Sequence, residues 1–137
     1  MIKNIVKDID FLKQKSTDLT KDELYVVTDL RDTLNFNRHH CVGMAANMIG
    51  YLKNVIIFEN SLKELEIMIN PVILKKDEEF EAKEGCLSLD FQTDVKRYRK
   101  IKVQYLNEDF KIRIKTYTGF VAQIIQHEID HLSGIIV

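Results

Sequence analysis

The feature that most constrains this chain is a His-Glu-x-x-His pattern near the C-terminus, in the segment QHEIDH that ends at His131. The segment has helical periodicity, and Phe120, Ile124, His127 and His131 fall on one face of the predicted helix. Two imidazoles one turn apart can hold one metal ion, and Glu128 can reach a water on that metal. A surface helix with two solvated histidines is the alternative for this motif alone.

A zinc or iron site of this kind needs a third protein ligand. The chain has four histidines and two cysteines, so the candidates outside the motif are His39, His40, Cys41 and Cys86. Cys86 lies between apolar residues after a glycine, which suits either a buried small hydrophobe or a thiolate ligand. An ordinary zinc peptidase usually takes its third ligand from a His or Glu after the helix, and the segment 132–137 contains neither.

Length and charge limit the remaining function classes. We predict a single domain over residues 1–137, because the chain is too short for two ordinary cores. A net charge of −1 and a pI near 6.4 give no broad basic surface, so we expect no nucleic-acid partner. No apolar run suits a membrane span or a signal peptide, and two cysteines make no disulfide framework, so we expect the cytoplasm and no membrane.

Local patterns predict a helix, several strands and a final helix. Thr20 and Glu23 form a candidate capping box, in which the threonine oxygen and the Glu23 carboxylate satisfy backbone donors at the start of a helix over 21–36. Strand-like runs follow at 54–58, 65–70, 72–74, 95–105 and 112–114. Pro71 should end one strand, and the charged run 75–79 should be a solvated turn or edge. The order predicts an α+β domain, with antiparallel β-sheets packed around a C-terminal metal-binding helix.

Three short motifs together resemble the signatures of the peptide deformylase family. That family's signatures read Gly-φ-Gly-φ-Ala-Ala-x-Gln, Glu-Gly-Cys-φ-Ser and Gln-His-Glu-φ-Asp-His, where φ is apolar. In this chain they read CVGMAANM from Cys41 to Met48, EGCLS from Glu84 to Ser88, and QHEIDH, and the second and third match without departure. The similarity runs from about residue 24 to the end, so the resemblance implies a peptide-deformylase-like fold.

The resemblance implies an amide hydrolase that removes the N-formyl group from N-formylmethionyl nascent peptides, at the ribosome. Cys86, His127 and His131 would bind one divalent metal ion, with Fe²⁺ as the native metal and Zn²⁺, Ni²⁺ or Co²⁺ as alternatives. Glu128 would act as general base and then as acid, and the Leu87 backbone N–H would help to hold the oxyanion.

The resemblance also implies which residues meet the substrate, namely Val42, Gly43, Gly85, Arg97, Phe120 and Ile124. For Arg97, a surface charge is the alternative. A liganding histidine usually gives its second ring N–H to a carboxylate or a carbonyl, and Glu84 and Asp130 are the candidates close in sequence.

The first motif departs from the family at the position of its catalytic glutamine, where this chain has Met48. A thioether cannot donate a hydrogen bond to the developing oxyanion. Asn47 carries an amide, but on a strand it would face away from position 48. A second hypothesis is therefore a deformylase-like metal-binding protein with weak activity, another N-acyl amide substrate or a non-catalytic binding role. Cys41 replaces the leading glycine, and is either a buried inert thiol or a second thiol near the metal.

Overall fold

The computed structural model describes residues 1–86, 88 and 91–137. Within these residues, the helices are α1 (Ile9–Leu12), α2 (Tyr25–Phe36) and α3 (Gly119–Leu132), with short 3-10 helices at Lys21–Glu23 and Ala46–Ile49. The strands are β1 (Gly43–Ala45), β2 (Val55–Glu59), β3 (Leu65–Glu84), β4 (Thr93–Leu106) and β5 (Ile112–Thr118). No helix in the described part of the chain is long and apolar enough to cross a membrane.

The strands form one antiparallel sheet in the order β1-β2-β3-β4-β5, so each strand pairs with its neighbour in sequence. α3 packs against β1, β2 and β4, and α2 packs against β1 and β2. Apolar side chains from both helices and the sheet meet in one core, which includes Leu30, Leu34, Ile56, Phe58 and Ile125. The predicted α+β class, with the last helix packed on a sheet, is confirmed.

The predicted helix over 21–36 is confirmed, but its first turn is a separate 3-10 helix before α2. The predicted contact between Thr20 and Glu23 at the start of this segment is present. The Thr20 backbone N–H donates to Glu23 Oε1 at 3.0 Å, and the Thr20 hydroxyl donates to the same carboxylate oxygen at 3.1 Å.

The predicted strand end at Pro71 was wrong, whereas the charged run lies at a solvated edge as predicted, because β2 pairs with β3 only over residues 65–69. β3 continues through both to Glu84, paired with β4, and register shifts between Ile69 and Val72 and between Ile73 and Lys75 absorb the irregular residues. The charged side chains at 75–79 are mostly exposed in this ribbon. A two-stranded ribbon that is wetted on both faces tolerates charges at every position, so its sequence resembles that of a turn.

Two other segments differ from expectation. Residues Ala46–Ile49 form a 3-10 helix, so the strand alternation considered for Asn47 does not apply. The short helix α1 carries no strong periodic signal, and Asp8 caps it by accepting from the Asp10 backbone N–H. The predicted hairpin into the last helix is confirmed by β4 and β5, which are joined by a turn at 107–110.

We predict that Asn70→Ala destabilises the fold by about 2–4 kcal/mol, because it removes two hydrogen bonds and strains the backbone. Asn70 has a φ of 51°, its Oδ1 accepts from the Leu19 N–H at 2.8 Å, and its Nδ2 donates to the Leu19 carbonyl at 3.2 Å. Asn70→Gly removes the same bonds without the strain, so it should cost about 1 kcal/mol less. Urea unfolding measures both, and equal losses would show that the backbone conformation contributes nothing.

Candidate active site

α3 places the side chains of His127, Glu128 and His131 together beneath the sheet. Their ligand atoms all lie within 4.8 Å of one another, and the two imidazole centroids are 4.5 Å apart. All three residues are at most 7% exposed. The alternative of two solvated histidines on a surface helix therefore does not hold.

Cys86 reaches the same place from the loop that follows β3. It lies outside the three-residue group within 4.8 Å, but its thiol interacts with both imidazoles. Burial disfavours the thiolate, but hydrogen bonds with His127 and His131 outweigh that effect and lower the pKa of Cys86 to about 6. A thiolate is the form in which cysteine binds a metal, so the three side chains have the chemistry of a metal site.

The pKa values of the two imidazoles are shifted in the opposite direction, upwards. Burial alone would lower the pKa of His127, but Cys86 and Glu84 raise it to about 9. Burial would also lower the pKa of His131, and Cys86 and Glu128 raise it to about 10. Without a metal the rings therefore carry protons that pair with the thiolate, and a metal that binds them has to displace those protons.

Glu84, the last residue of β3, holds His127 in place. His127 Nδ1 lies 2.7 Å from Glu84 Oε1, Arg97 Nη2 donates to the same oxygen at 2.7 Å, and Gln123 Nε2 donates to Oε2 at 2.8 Å. Burial would raise the pKa of Glu84, but these partners lower it to about 2, so the carboxylate stays charged. Asp130, the other candidate partner of a liganding histidine, instead accepts from Arg97 Nη1 at 2.7 Å.

Two buried polar atoms at the centre of the site have no hydrogen-bond partner among the described residues. They are Glu128 Oε1 and His131 Nδ1, which lie 3.2 Å apart and form an ion pair when the ring is protonated. Buried polar atoms are nearly always satisfied in proteins. A carboxylate oxygen and a ring nitrogen that face each other beside a thiolate fit a divalent cation and a water, so this chain's residues suit the metal that the motif implies.

A cavity of about 560 Å³ opens onto this centre. The residues that line it come from β1 and the segment before it, the 3-10 helix Ala46–Ile49, the end of β3 with the loop that follows, and α3. They are His40, Cys41, Val42, Gly43, Met48, Lys83, Glu84, Gly85, Cys86, Phe91, Gln92, Phe120, Gln123, Ile124, His127 and Glu128.

Five of the six residues expected to meet substrate line this cavity, and Arg97 does not. Arg97 is only 4% exposed and lies behind Glu84, so we assign it to positioning rather than to substrate contact.

Among the other candidates for the third ligand, His40 and Cys41 line the cavity and His39 does not. Leu87, the expected oxyanion donor, lies outside the described residues.

Gly43 is required where β1 passes closest to α3. A Cβ atom at this position would lie 2.6 Å from Ile124 Cγ2 and 3.0 Å from Glu128 Oε2. Any larger residue would push the strand away from the helix or displace the Glu128 carboxylate. Glycine here thus sets the distance between the cavity wall and the Glu128 carboxylate.

Two sulfur-containing side chains, Cys41 and Met48, line the side of the cavity near β1. Met48 is 1% exposed, and its Sδ accepts from the Ala45 N–H at 3.5 Å. Asn47 does not replace the missing donor, because its amide donates to the His131 carbonyl at 2.9 Å and does not line the cavity. The Cys41 thiol donates to the Gly43 carbonyl at 2.9 Å, and burial raises the pKa of Cys41 to about 12, so it stays protonated.

Comparison with known proteins decides the family. The family model described as Polypeptide deformylase matches residues 2–137. A peptide deformylase of Clostridium beijerinckii is 52% identical over 138 residues, which cover 100% of both chains. The chain belongs to the peptide deformylase family. A peptide deformylase of Aquifex aeolicus is also similar, with 34% identity over 98% of this chain and 85% of the relative.

Solved deformylase structures share the fold. A peptide deformylase from Legionella pneumophila superposes with a TM-score of 0.89 at 31% identity, covering 99% of this chain and 83% of that one. The Met-Ala-Ser-bound class I type b enzyme from Acinetobacter baumannii gives 0.87 at 30% identity, covering 99% and 96%. This chain is accordingly a metal-dependent hydrolase that removes the N-formyl group from formylmethionyl peptides. Nothing in these comparisons supports the hypothesis of an altered or non-catalytic role.

We predict that Glu84→Gln weakens metal binding by roughly 10- to 100-fold, because the charged partner of His127 is lost. The substitution also removes a negative charge that pairs with the buried Arg97 guanidinium, so the free energy of unfolding should fall as well. The matched control is Glu81→Gln, an exposed carboxylate on the same strand, which should bind metal as the unsubstituted protein does. Competition with a chelator measures affinity, and equal affinities for the two variants would contradict the role of Glu84.

Proposed function

We propose that deformylation takes place where the cavity meets α3, with Cys86, His127 and His131 holding one divalent metal ion. The observation that carries this assignment is the convergence of the Cys86 thiol and two buried imidazoles beside the buried Glu128 carboxylate. Three protein ligands leave a position open for water or substrate, as a catalytic site requires.

Each residue of the site then has one role in the reaction. A bound divalent ion would supply a Lewis acid for the formyl oxygen and would make a nearby water more acidic. Glu128 accepts a proton from the attacking water and delivers it to the amine nitrogen as the C–N bond breaks. Glu84 keeps His127 in the ring orientation that presents its other nitrogen to the ion. We assign the oxyanion contact to the Leu87 backbone N–H.

We assign Fe²⁺ as the native ion, with Zn²⁺, Ni²⁺ or Co²⁺ as functional substitutes. One thiolate and two imidazoles are ligands that all four ions accept, so the ligand types support a mid-row divalent metal without choosing one. Metal analysis of protein that is purified without oxygen decides among them.

The formylmethionyl substrate enters along the face of the cavity formed by β1 and α3. Val42 and Phe120 are exposed at its mouth, Ile124 lies deeper, and Gly43 and Gly85 leave room for a peptide backbone. The reaction acts on new chains, so we place the enzyme in the cytoplasm at the ribosome, as a single domain over residues 1–137. Its net charge of −1 gives no support for reading nucleic acid directly.

We predict that Glu128→Ala lowers the deformylation rate by about 10²–10⁴-fold while the protein keeps its metal. The reason is that the substitution removes the proton carrier but none of the three assigned ligands. The measurement is formate release from formyl-Met-Ala-Ser by metal-loaded protein, with metal content determined on the same sample. An exposed carboxylate, Glu108, provides the control Glu108→Ala. A Glu128→Ala protein with full activity would exclude this mechanism.

We predict that Met48→Gln raises kcat, by on the order of tenfold or more, because it adds a hydrogen-bond donor to the cavity beside the reacting carbonyl. Met48→Leu is the matched control, since it keeps the apolar volume and also donates nothing, and its kcat should stay within about threefold of the unsubstituted value. Steady-state kinetics on formyl-Met-Ala-Ser separates kcat from KM. A Met48→Gln protein with unchanged kcat would show that this enzyme does not need a donor at position 48.

A further inference from the structure

Lys83 places an ammonium group at the mouth of the active-site cavity. It lines the cavity from the end of β3, and its side chain is 74% exposed. The residue opposite it on β4 is Asp94, whose Oδ1 lies 3.6 Å from the Lys83 nitrogen. Asp94 is equally exposed and does not line the cavity. An ion pair this long and this exposed contributes little, so the ammonium is free to turn to another anion.

The carboxylates deeper in the cavity already have cationic partners. Among the described residues that line the cavity, Glu84 and Glu128 are the only carboxylates. Glu84 accepts from Arg97 Nη2 at 2.7 Å, and Glu128 Oε1 lies 3.2 Å from His131 Nδ1. An anionic group that occupies the mouth therefore meets the Lys83 cation and no uncompensated carboxylate in the described cavity wall.

Apolar side chains line the same mouth. Phe91 and Phe120 are exposed and line the cavity together with Val42. A Cβ atom at Gly85 would lie 3.5 Å from the Phe91 carbonyl oxygen, so the residues just after β3 contact the segment just before β4. Apolar groups exclude water and lower the local dielectric constant. A charge pair formed here is therefore stronger than the same pair in bulk water.

A bound substrate has to pass this mouth. A peptide whose formyl group lies beside Glu128 leaves the cavity past Gly85, which is two residues from Lys83. An extended chain rises about 3.3 Å per residue and turns successive side chains to opposite sides. One of the two residues that follow the formylmethionine therefore presents its side chain to the wall that contains Lys83.

We propose that Lys83 is a specificity-determining residue, which favours formylmethionyl chains that carry an aspartate or a glutamate at their second or third residue. The inference rests on the proposed function, and it adds a charge preference to the substrate class. Lys83 contacts the substrate side chain and takes no part in bond breaking. The preference should consequently appear in KM and in kcat/KM, with kcat nearly unchanged.

Matched pairs of amidated peptides test the preference, since amidation removes the terminal carboxylate. One pair is formyl-Met-Asp-Ser and formyl-Met-Asn-Ser, and the other is formyl-Met-Ala-Asp and formyl-Met-Ala-Asn. For the metal-loaded protein we expect the acidic member of one pair to have a kcat/KM about two- to fivefold higher at low salt. The ratio should fall towards one at about 0.5 M salt, because salt screens exposed charges. Equal kcat/KM within both pairs would overturn the proposal.

Substitutions at position 83 show whether the lysine is the cause. Lys83→Arg should keep the preference, Lys83→Gln should remove it, and Lys83→Glu should reverse it. The control is Lys75→Glu, an exposed lysine of the same strand that does not line the cavity and whose substitution changes the net charge equally. If Lys75→Glu lowers the ratio as much as Lys83→Glu does, the overall charge of the protein is responsible and the inference is wrong.

A binding measurement separates this inference from the proposed function. Dissociation constants of the four peptides are measured with metal-loaded Glu128→Ala protein, in which turnover is suppressed. Tighter binding of an acidic peptide that disappears in Lys83→Gln/Glu128→Ala protein would support the role of Lys83. If formyl-Met-Ala-Ser is hydrolysed but the paired peptides bind and react equally, only the charge preference fails. If no formyl peptide is hydrolysed, the proposed function fails, and the binding comparison still decides whether Lys83 selects acidic peptides.

Discussion

The buried ion network around Glu84 is the interaction on which the active site depends. Its carboxylate ends β3, the guanidinium of Arg97 comes from β4, and Asp130 and His127 come from α3. Glu84 and Arg97 are 8% and 4% exposed, so each charge would be very costly without the others. The network therefore fixes the position of the helix on the sheet and the ring orientation of His127 in one arrangement.

The sequence reveals the parts of this structure that depend on local periodicity. The spacing of Leu30 and Leu34 predicts α2, and the His-Glu-x-x-His pattern predicts which face of α3 carries the imidazoles. The network itself is not predictable in this way, because Arg97 bonds residues 13 and 33 positions away and nothing near it in sequence marks them. An arginine at the surface and an arginine in a buried ion pair can have the same sequence neighbours. Only the pairing of the strands shows which of the two Arg97 is.

The same limit explains the wrong strand end at Pro71 and the unpredicted 3-10 helix at Ala46–Ile49. A proline and a run of charges usually end a strand, but register shifts and solvent on both faces let β3 continue to Glu84. The length of that strand is what carries Cys86 to the histidines. Asn47 was expected to face away because of strand alternation, and it does point away, although the cause is a 3-10 turn that sends its amide to the His131 carbonyl.

The opposed pKa shifts in the site show how it is organised before a metal binds. The Cys86 thiol has its pKa lowered to about 6, and the rings of His127 and His131 have theirs raised to about 9 and 10, so each shift favours the charged form of its group. If Cys86, His127 and His131 are the ligands, as we propose, a cation would displace ring protons rather than a thiol proton. Glu84 serves both states, because its carboxylate pairs with a charged His127 and accepts the Nδ1 proton of a neutral one. One fixed contact thus suits His127 in either protonation state, which is the preorganisation that the proposed metal site would require.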